Sequence, residues 1–308
     1  MGVPVLSVQE LPPWGESSAA LEPLTFTLEA GDIAIAIGQN LGCSSRFLHL
    51  LLGLDPRRGG KIEICGHSLR ERQAKLLVGY VGTEPALYEE MTLWQFLALF
   101  VEIYEVDLHY RPYAIYEALE LTKLTPWKDK PLSQAEDPTL RKRISIARAL
   151  VHSPRLLVIE DLFQGSDFRT WPLMVEILNG ARNTGKAILL SAASLLHLQD
   201  LYSQLFVLSG KGVLLYGQAP EITYDVDNYH LVQIQVLEET VDVLLPLLAQ
   251  TEAVFDLLQK EDDWGVLRFF FKGSPSQLES LVAQWQQAGA AIISCLRLDN
   301  FWGRSPTT

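Results

Sequence analysis

The chain has 308 residues, 48% of them hydrophobic and 20% charged, which supplies a buried core and allows one large domain or two smaller ones. Its formal net charge of -12 disfavours nucleic acid as an electrostatic partner, because phosphate binding draws on surplus Lys and Arg. No run of ~18 uncharged apolar residues is present to span a bilayer, the N-terminus lacks the order of a secretory signal, and Cys43, Cys65 and Cys295 have no metal-ligand spacing, so they are expected to be reduced thiols of a cytosolic protein.

Residues 24–37 alternate and then become continuously apolar through Ile33–Ile37, which predicts a buried strand ending at Gly38. A helix is expected over Phe47–Leu52, closing at Gly53. Ile62–Ile64 and Val78–Val81 read as further strands. Helical spacing dominates 92–127 and resumes over 140–152. A strand (Leu156–Ile159), a helix (about 170–182), a strand (Ala187–Leu190), a helix (195–202) and strands at Leu205–Leu208 and Val213–Leu215 follow. Strands alternating with helices indicate an α/β sheet, mostly parallel. Composition shifts near Pro220–Asn228. Beyond it the order is strand (231–237), helix (240–250), strand (253–259), a turn at Asp262-Asp263, strand (266–271), helix (275–288) and strand (290–296). That is the β-α-β-β-α-β order of a small ferredoxin-like unit. The expected domains are therefore 1–220 and 229–308, with a helical subdomain over about 90–150.

Between the strand ending at Gly38 and the following helix lies Gly38-Gln39-Asn40-Leu41-Gly42-Cys43-Ser44-Ser45-Arg46. A phosphate loop of the form G-x-x-x-x-G-K-[ST] curls backbone N–H groups around phosphates and reaches them with its Lys. Here the first Gly and the final Ser45 remain, Cys43 stands at the second Gly and Ser44 at the Lys. Taken alone, this stretch is equally an ordinary strand-to-helix turn.

The succession of segments decides between the two. "LEPLTFTLEAGDIAIAIGQN" with "LLLGL" (21–54), Gly60-Lys61-Ile62-Glu63-Ile64-Cys65-Gly66, Gly79-Tyr80-Val81-Gly82-Thr83-Glu84-Pro85-Ala86-Leu87-Tyr88, "RISIARALVHSPRLLVIEDLFQGSD" (143–167) and "AILLSAASLLHLQDLYSQLFVLSGKGVLLYG" (187–217) all resemble, in the same order, segments of the ATP-binding subunits of ABC transporters. The implied fold is an α/β, P-loop NTPase-like ABC ATPase domain with a mixed sheet and helical subdomain, followed by the small α+β ferredoxin-like domain. The latter is similar to an accessory domain of some export-type members, and Leu298-Asp299-Asn300-Phe301 resembles their terminal segment. Such subunits sandwich two ATPs between two chains, each site combining one chain's phosphate loop with the other's signature motif.

The resemblance assigns roles residue by residue, and most of the chemistry is altered. Ser44 replaces the phosphate-loop Lys and brings no positive charge to the β/γ-phosphates. Arg46, two residues on, points elsewhere on a helix or partly substitutes. Cys43 and Leu41 stand where Gly is usual, which disfavours the positive-φ geometry of an anion nest. Gly38, Asn40, Gly42, Ser44, Ser45 and Arg46 form the candidate phosphate contact, and Ser45 is either the Mg²⁺-side hydroxyl or a helix N-cap. Thr83 replaces the Gln that senses Mg²⁺ and is too short for that task. Glu160-Asp161 stands where the family has Asp-Glu; with Ser45 these carboxylates are either a residual metal site or a relic. The switch His is Ala193, and His197 is read as a surface or packing residue. The signature segment is Glu136-Asp137-Pro138-Thr139-Leu140, or else it starts at Leu132-Ser133 with an insertion; either way the paired glycines are gone and acidic residues face a partner's phosphates. Trp14 aligns with the aromatic that stacks on adenine, or else belongs to a Pro12-Pro13-Trp14-Gly15 turn.

The expected function is an ATP-binding-type subunit, with ATP and Mg²⁺ binding weakened. It would lie at the cytoplasmic face of the membrane, partnered by an integral permease and a second, intact ATPase. The docking surface is expected over 84–105, where Trp94, Phe96, Phe100 and Tyr104 cluster. A weakly active exporter ATPase and a nucleotide-free scaffold are the alternatives.

Overall fold

The structure, a computed structural model, describes residues 2–14, 21–38, 41–56, 59–84, 86–163, 165–192, 195, 198, 201–218, 229–251, 253–259 and 265–297. The chain divides into two units, the first comprising Met1–Ala193 and His197–Gly217 and the second Ser194–Leu196 and Gln218–Thr308. The first unit opens with β1 (Leu6–Leu11), β2 (Leu24–Leu28), β3 (Ile33–Gly38), α1 (Leu41–Leu52), β4 (Lys61–Ile64), β5 (His67–Ser68), α2 (Arg72–Leu76) and β6 (Val78–Val81). It continues with α3 (Leu93–Ile103), α4 (Arg111–Leu121), α5 (Pro138–Leu150), β7 (Leu156–Ile159), α6 (Trp171–Asn183), β8 (Ala187–Ser191), β9 (Gln204–Leu208) and β10 (Val213–Gln218).

The continuous apolar runs become strands covered on both faces, as burial in a parallel sheet requires. Every residue of β7, β8 and β9 is buried, and so is β3 up to Ile37. They lie in a six-stranded sheet of order β10-β9-β3-β8-β7-β6, whose β9-β3-β8-β7-β6 pairings are all parallel. The alternating run of β2 instead buries Leu24, Phe26 and Leu28 and exposes the threonines between them. It joins an antiparallel sheet of order β2-β1-β4-β5. Phe26, Phe47 and Phe206 meet in the core that these two sheets share with α1.

The segment between β6 and β7 is helical. α3 starts at a capping box in which the Gln95 backbone N–H donates to Thr92 Oγ1 (3.2 Å) and the Thr92 N–H to Gln95 Oε1 (2.9 Å). The single helical run expected over 92–127 is in fact broken. Glu105 takes the left-handed conformation (φ 57°) just beyond α3, and Lys123 (φ 57°) does so just beyond α4. Likewise the helix expected from Phe47 begins six residues earlier, at Leu41. β1, β5 and α2 had no counterpart in the sequence reading. The helix expected over 195–202, the Asp262-Asp263 turn and the boundary segment Pro220–Asn228 lie wholly or mostly outside the described residues.

In the second unit β11 (Tyr229–Val236), α7 (Val241–Gln250), β12 (Val254–Gln259), β13 (Val266–Lys272), α8 (Pro275–Gln287) and β14 (Ile292–Arg297) follow one another. The sheet order is β12-β13-β11-β14, with antiparallel pairing throughout, which is the ferredoxin-like arrangement. One sheet face buries Val232, Ile234, Phe269 and Phe271 against Leu244 and Leu248 of α7 and Leu278 and Trp285 of α8.

Two contacts hold α5 against the sheet. At Gly79 of β6 an added Cβ falls 2.2 Å from the Ala149 carbonyl oxygen, so only glycine admits the helix this close. Gly79→Ala should therefore lower stability by about 2–3 kcal/mol, read as a lower urea midpoint at an unchanged slope. Just past α5, His152 stacks on Tyr104 (centroids 3.7 Å apart) and its Nε2 sits 3.1 Å from the Val78 carbonyl oxygen, while Nδ1 is buried with no partner among the described residues. Burial is the main cause that pushes its pKa from 6.5 down to about 4; nearby Arg148 and Lys186 push the same way and the Val78 bond opposes. The unfolded chain thus binds the proton first as pH falls. Stability from this site should be complete above pH 6.5 and lost by pH 4, by up to about 3 kcal/mol. Denaturant titrations of wild type and His152→Gln across that window check this; the variant should lose most of the slope.

Candidate functional site

In an open parallel sheet, the ends where the strands finish converge on one edge, and loops there carry the site. Here β3 finishes at Gly38, β6 at Val81, β7 at Ile159 and β8 at Ser191, on neighbouring strands. The acidic pair Glu160-Asp161 leaves the end of β7 with the Glu160 N–H still bonded to the Val81 carbonyl oxygen (2.8 Å).

Glu160 is 2% exposed, and its carboxylate is surrounded by donors of its own chain. Tyr80 Oη donates to Oε1 at 2.6 Å, and His49 Nε2 lies 2.5 Å from the same oxygen. Thr83 Oγ1 donates to Oε2 at 3.0 Å and Ser45 Oγ at 3.4 Å. His49 and Ser45 are four residues apart on α1 and so share one face. The hydrogen bond to the carboxylate and burial both raise the Tyr80 pKa, burial most, so the phenol remains a donor.

Asp161 faces differently. Its backbone is left-handed (φ 42°) and its N–H donates to Ser191 Oγ at 2.8 Å. Burial raises its pKa, and so does Glu160, while Lys142 opposes them. Lys142 is itself 2% exposed, and its Nζ donates to the carbonyl oxygens of Glu160 (2.9 Å) and Gly82 (3.3 Å). Burial lowers its pKa, and the Asp161 and Glu160 charges act against that. An ammonium from α5 thus stands behind the acidic pair.

The stretch expected as a loop is largely helical, since α1 already includes Leu41, Gly42, Cys43, Ser44, Ser45 and Arg46. Cys43 is part of the hydrophobic core and Ser44 is buried. Arg46 Nη2 donates to the Trp14 carbonyl oxygen at 3.2 Å. Trp14 packs its ring on Phe47 (centroids 5.8 Å) and lines, with Pro13, Arg46 and Leu50, a cavity of about 230 Å³. Asn40, Ala193 and His197 lie outside the described residues, as do Leu298-Asp299-Asn300-Phe301. α5 begins at Pro138, within the signature segment Glu136–Leu140, and the Asp137 carboxylate caps it by accepting the Leu140 N–H at 2.8 Å. A helix start that commonly receives anions is here met by a carboxylate of the same chain.

The structure therefore gathers Ser45, Thr83, Glu160 and Asp161 at one strand edge and sends Arg46 and Trp14 to another pocket. Sequence reasoning missed three members. His49 was legible from its spacing to Ser45. Tyr80 follows from the alternation of β6, in which Gly79 and Val81 are buried against the core. Lys142 carried no distinguishing signal, since Arg141 and Arg143 flank it in a helix that buries most of its circumference. Among the described residues no group of three or more His, Cys, Asp or Glu is placed to hold a metal ion.

Residues 21–163 match the sequence model of the family described as ABC transporter. An uncharacterized ABC transporter ATP-binding protein of Nostoc sp. is 26% identical over 219 residues, covering 69% of this chain and 64% of that protein. Nod factor export ATP-binding protein I of Burkholderia pseudomallei is 27% identical over 193 residues, covering 62% of this chain and 63% of that protein. The match thus spans just under two thirds of the length of each of these two relatives. A solved ATP-binding subunit of an ABC transporter has the same fold (TM-score 0.62, 24% identity, 72% of this chain and 93% of that one). So does cbiO1 from Clostridium perfringens, described as part of the ABC transporter complex cbiONQ (TM-score 0.63, 20% identity, 72% of this chain and 92% of that one). The sequence match over residues 21–163 and the two solved neighbours agree on the fold, which is the P-loop NTPase α/β fold of ABC transporter ATP-binding subunits.

Proposed function

We propose that this chain is an ATP-binding-type subunit of an ABC transporter complex that does not itself hydrolyse ATP and acts as a structural and regulatory partner of an intact ATPase. The observation that carries this reading is the Glu160 carboxylate, both of whose oxygens are held by Ser45, Thr83, Tyr80 and His49. A Mg²⁺ ion at this carboxylate would displace those donors, and Asp161 is itself buried within the electrostatic influence of the Lys142 ammonium. With Ser44 in place of Lys, no cation of α1 replaces the lost charge, since Arg46 is spent on the Trp14 carbonyl. ATP and Mg²⁺ binding are weakened accordingly.

The partner surface is assigned to the ends of α1 and α3. A cavity of about 170 Å³ lies there, lined mainly by apolar side chains such as Leu52, Leu54, Ala74, Tyr80 and Tyr104 together with Lys75; Leu54 is 59% exposed, and Ile103, beside Tyr104, is 56% exposed. Of the expected aromatic set, Phe96 is core, Trp94 packs on Tyr116, and only Tyr104 reaches this cavity. The occupant in this reading is a cytoplasmic segment of a permease, with the chain lying peripherally on the inner membrane face. Residues 229–308 form an accessory domain. Export as the direction draws on the Nod factor export relatives.

The test is steady-state phosphate release by the chain assembled with its co-purifying ATPase and permease. Glu160→Gln and Asp161→Asn in this chain should leave turnover within about 2-fold, whereas replacing the partner ATPase's phosphate-loop Lys should remove it. A loss of 10-fold or more from either substitution here would instead establish the weakly active ATPase.

A further inference from the structure

One side chain belongs to both features just described. The Tyr80 ring lines the apolar cavity near the ends of α1 and α3, and its hydroxyl donates to Glu160 Oε1 at the strand edge. Within the same cluster His49 Nε2 stands 3.2 Å from that hydroxyl and 2.5 Å from the same carboxylate oxygen. The ring has little freedom to move without its hydroxyl, because a phenol is rigid along its length. Arg148 reinforces the strand by donating to the Tyr80 carbonyl oxygen at 2.5 Å.

We propose that Tyr80 is a positioning residue that carries occupancy of the apolar cavity to the Glu160–His49 pair. An apolar side chain entering the cavity pushes on one edge of the ring, and the hydroxyl at its tip shifts the carboxylate oxygen it holds. Thr83 shares the carboxylate through Oε2 and does not line the cavity, so it lies outside this path. The relay rests on the docking reading above, which gives the cavity its natural occupant, a large aliphatic or aromatic side chain of a permease segment.

The relay is tested on the full chain without any partner. Leu54→Cys, in a Cys65→Ser, Cys295→Ser background with Cys43 buried, is labelled with benzyl methanethiosulfonate to seat an aromatic ring in the cavity. The His49 and His152 ring signals are then followed by ¹⁵N NMR. The adduct should move His49 in the Tyr80 chain and leave it still in Tyr80→Phe, while His152, stacked on cavity-lining Tyr104, moves in both. Thr83→Val should retain the His49 response. A 3-fluorotyrosine-labelled chain reads Tyr80 itself without substitution, and its ¹⁹F signal should move together with His49. A His49 signal that stays fixed in the Tyr80 chain while His152 moves, or that moves equally in Tyr80→Phe, overturns the relay. The docking reading is checked separately by Leu54→Glu: permease co-purification that is unchanged by this variant ends the docking reading and leaves the relay standing.

Discussion

A carboxylate with almost no access to water must find donors, and here it finds four from its own chain. Leaving Glu160 buried and unpaired would cost several kcal/mol, so Ser45, His49, Tyr80 and Thr83 are committed to it in the folded state. That commitment ties α1, β6 and the end of β7 together at the point where the parallel strands finish. It also consumes the lone pairs that a divalent ion would otherwise share. The same atoms thereby hold the fold together at this edge.

Behind this cluster the constraint is steric and electrostatic at once. Gly79 brings α5 against β6, and that closeness lets Lys142 reach the carbonyl oxygens at the ends of β6 and β7. A buried ammonium is tolerable because two carbonyls and the Asp161 charge compensate its lost hydration. Asp161 in turn keeps its left-handed backbone because the Ser191 hydroxyl accepts its N–H. Each buried charge at this edge is thus answered locally by groups of the same chain.

The fold was largely legible because its strands are of two unmistakable kinds. Ile33–Ile37 and Leu156–Ile159 are too uniformly apolar for any place but a doubly covered sheet, and β2 alternates residue by residue. The α8 start at Ser274-Pro275 announces itself through a capping box with Gln277. What escaped detection lacked local chemistry. The break after α3 is made by a left-handed Glu105, with no Gly or Pro to mark it. The early start of α1 runs through Gly42, Cys43, Ser44 and Ser45, residues with little helical preference, so tertiary packing of Cys43 in the core overrides propensity. At the site, Ser45, Thr83, Glu160 and Asp161 do converge as a shared edge demands. The direction of Arg46, the turning of Trp14 onto Phe47 and the reach of Lys142 depend on side-chain packing that no spacing rule encodes.

The Asp137 cap bears on which surfaces the start of α5 can meet. With its own carboxylate satisfying the Leu140 amide, and Glu136 also exposed beside it, the leading end of α5 presents negative charge where the backbone alone would be electropositive. The terminus therefore repels anions and is complementary to a basic surface, so a preference of charge is written into a single helix start.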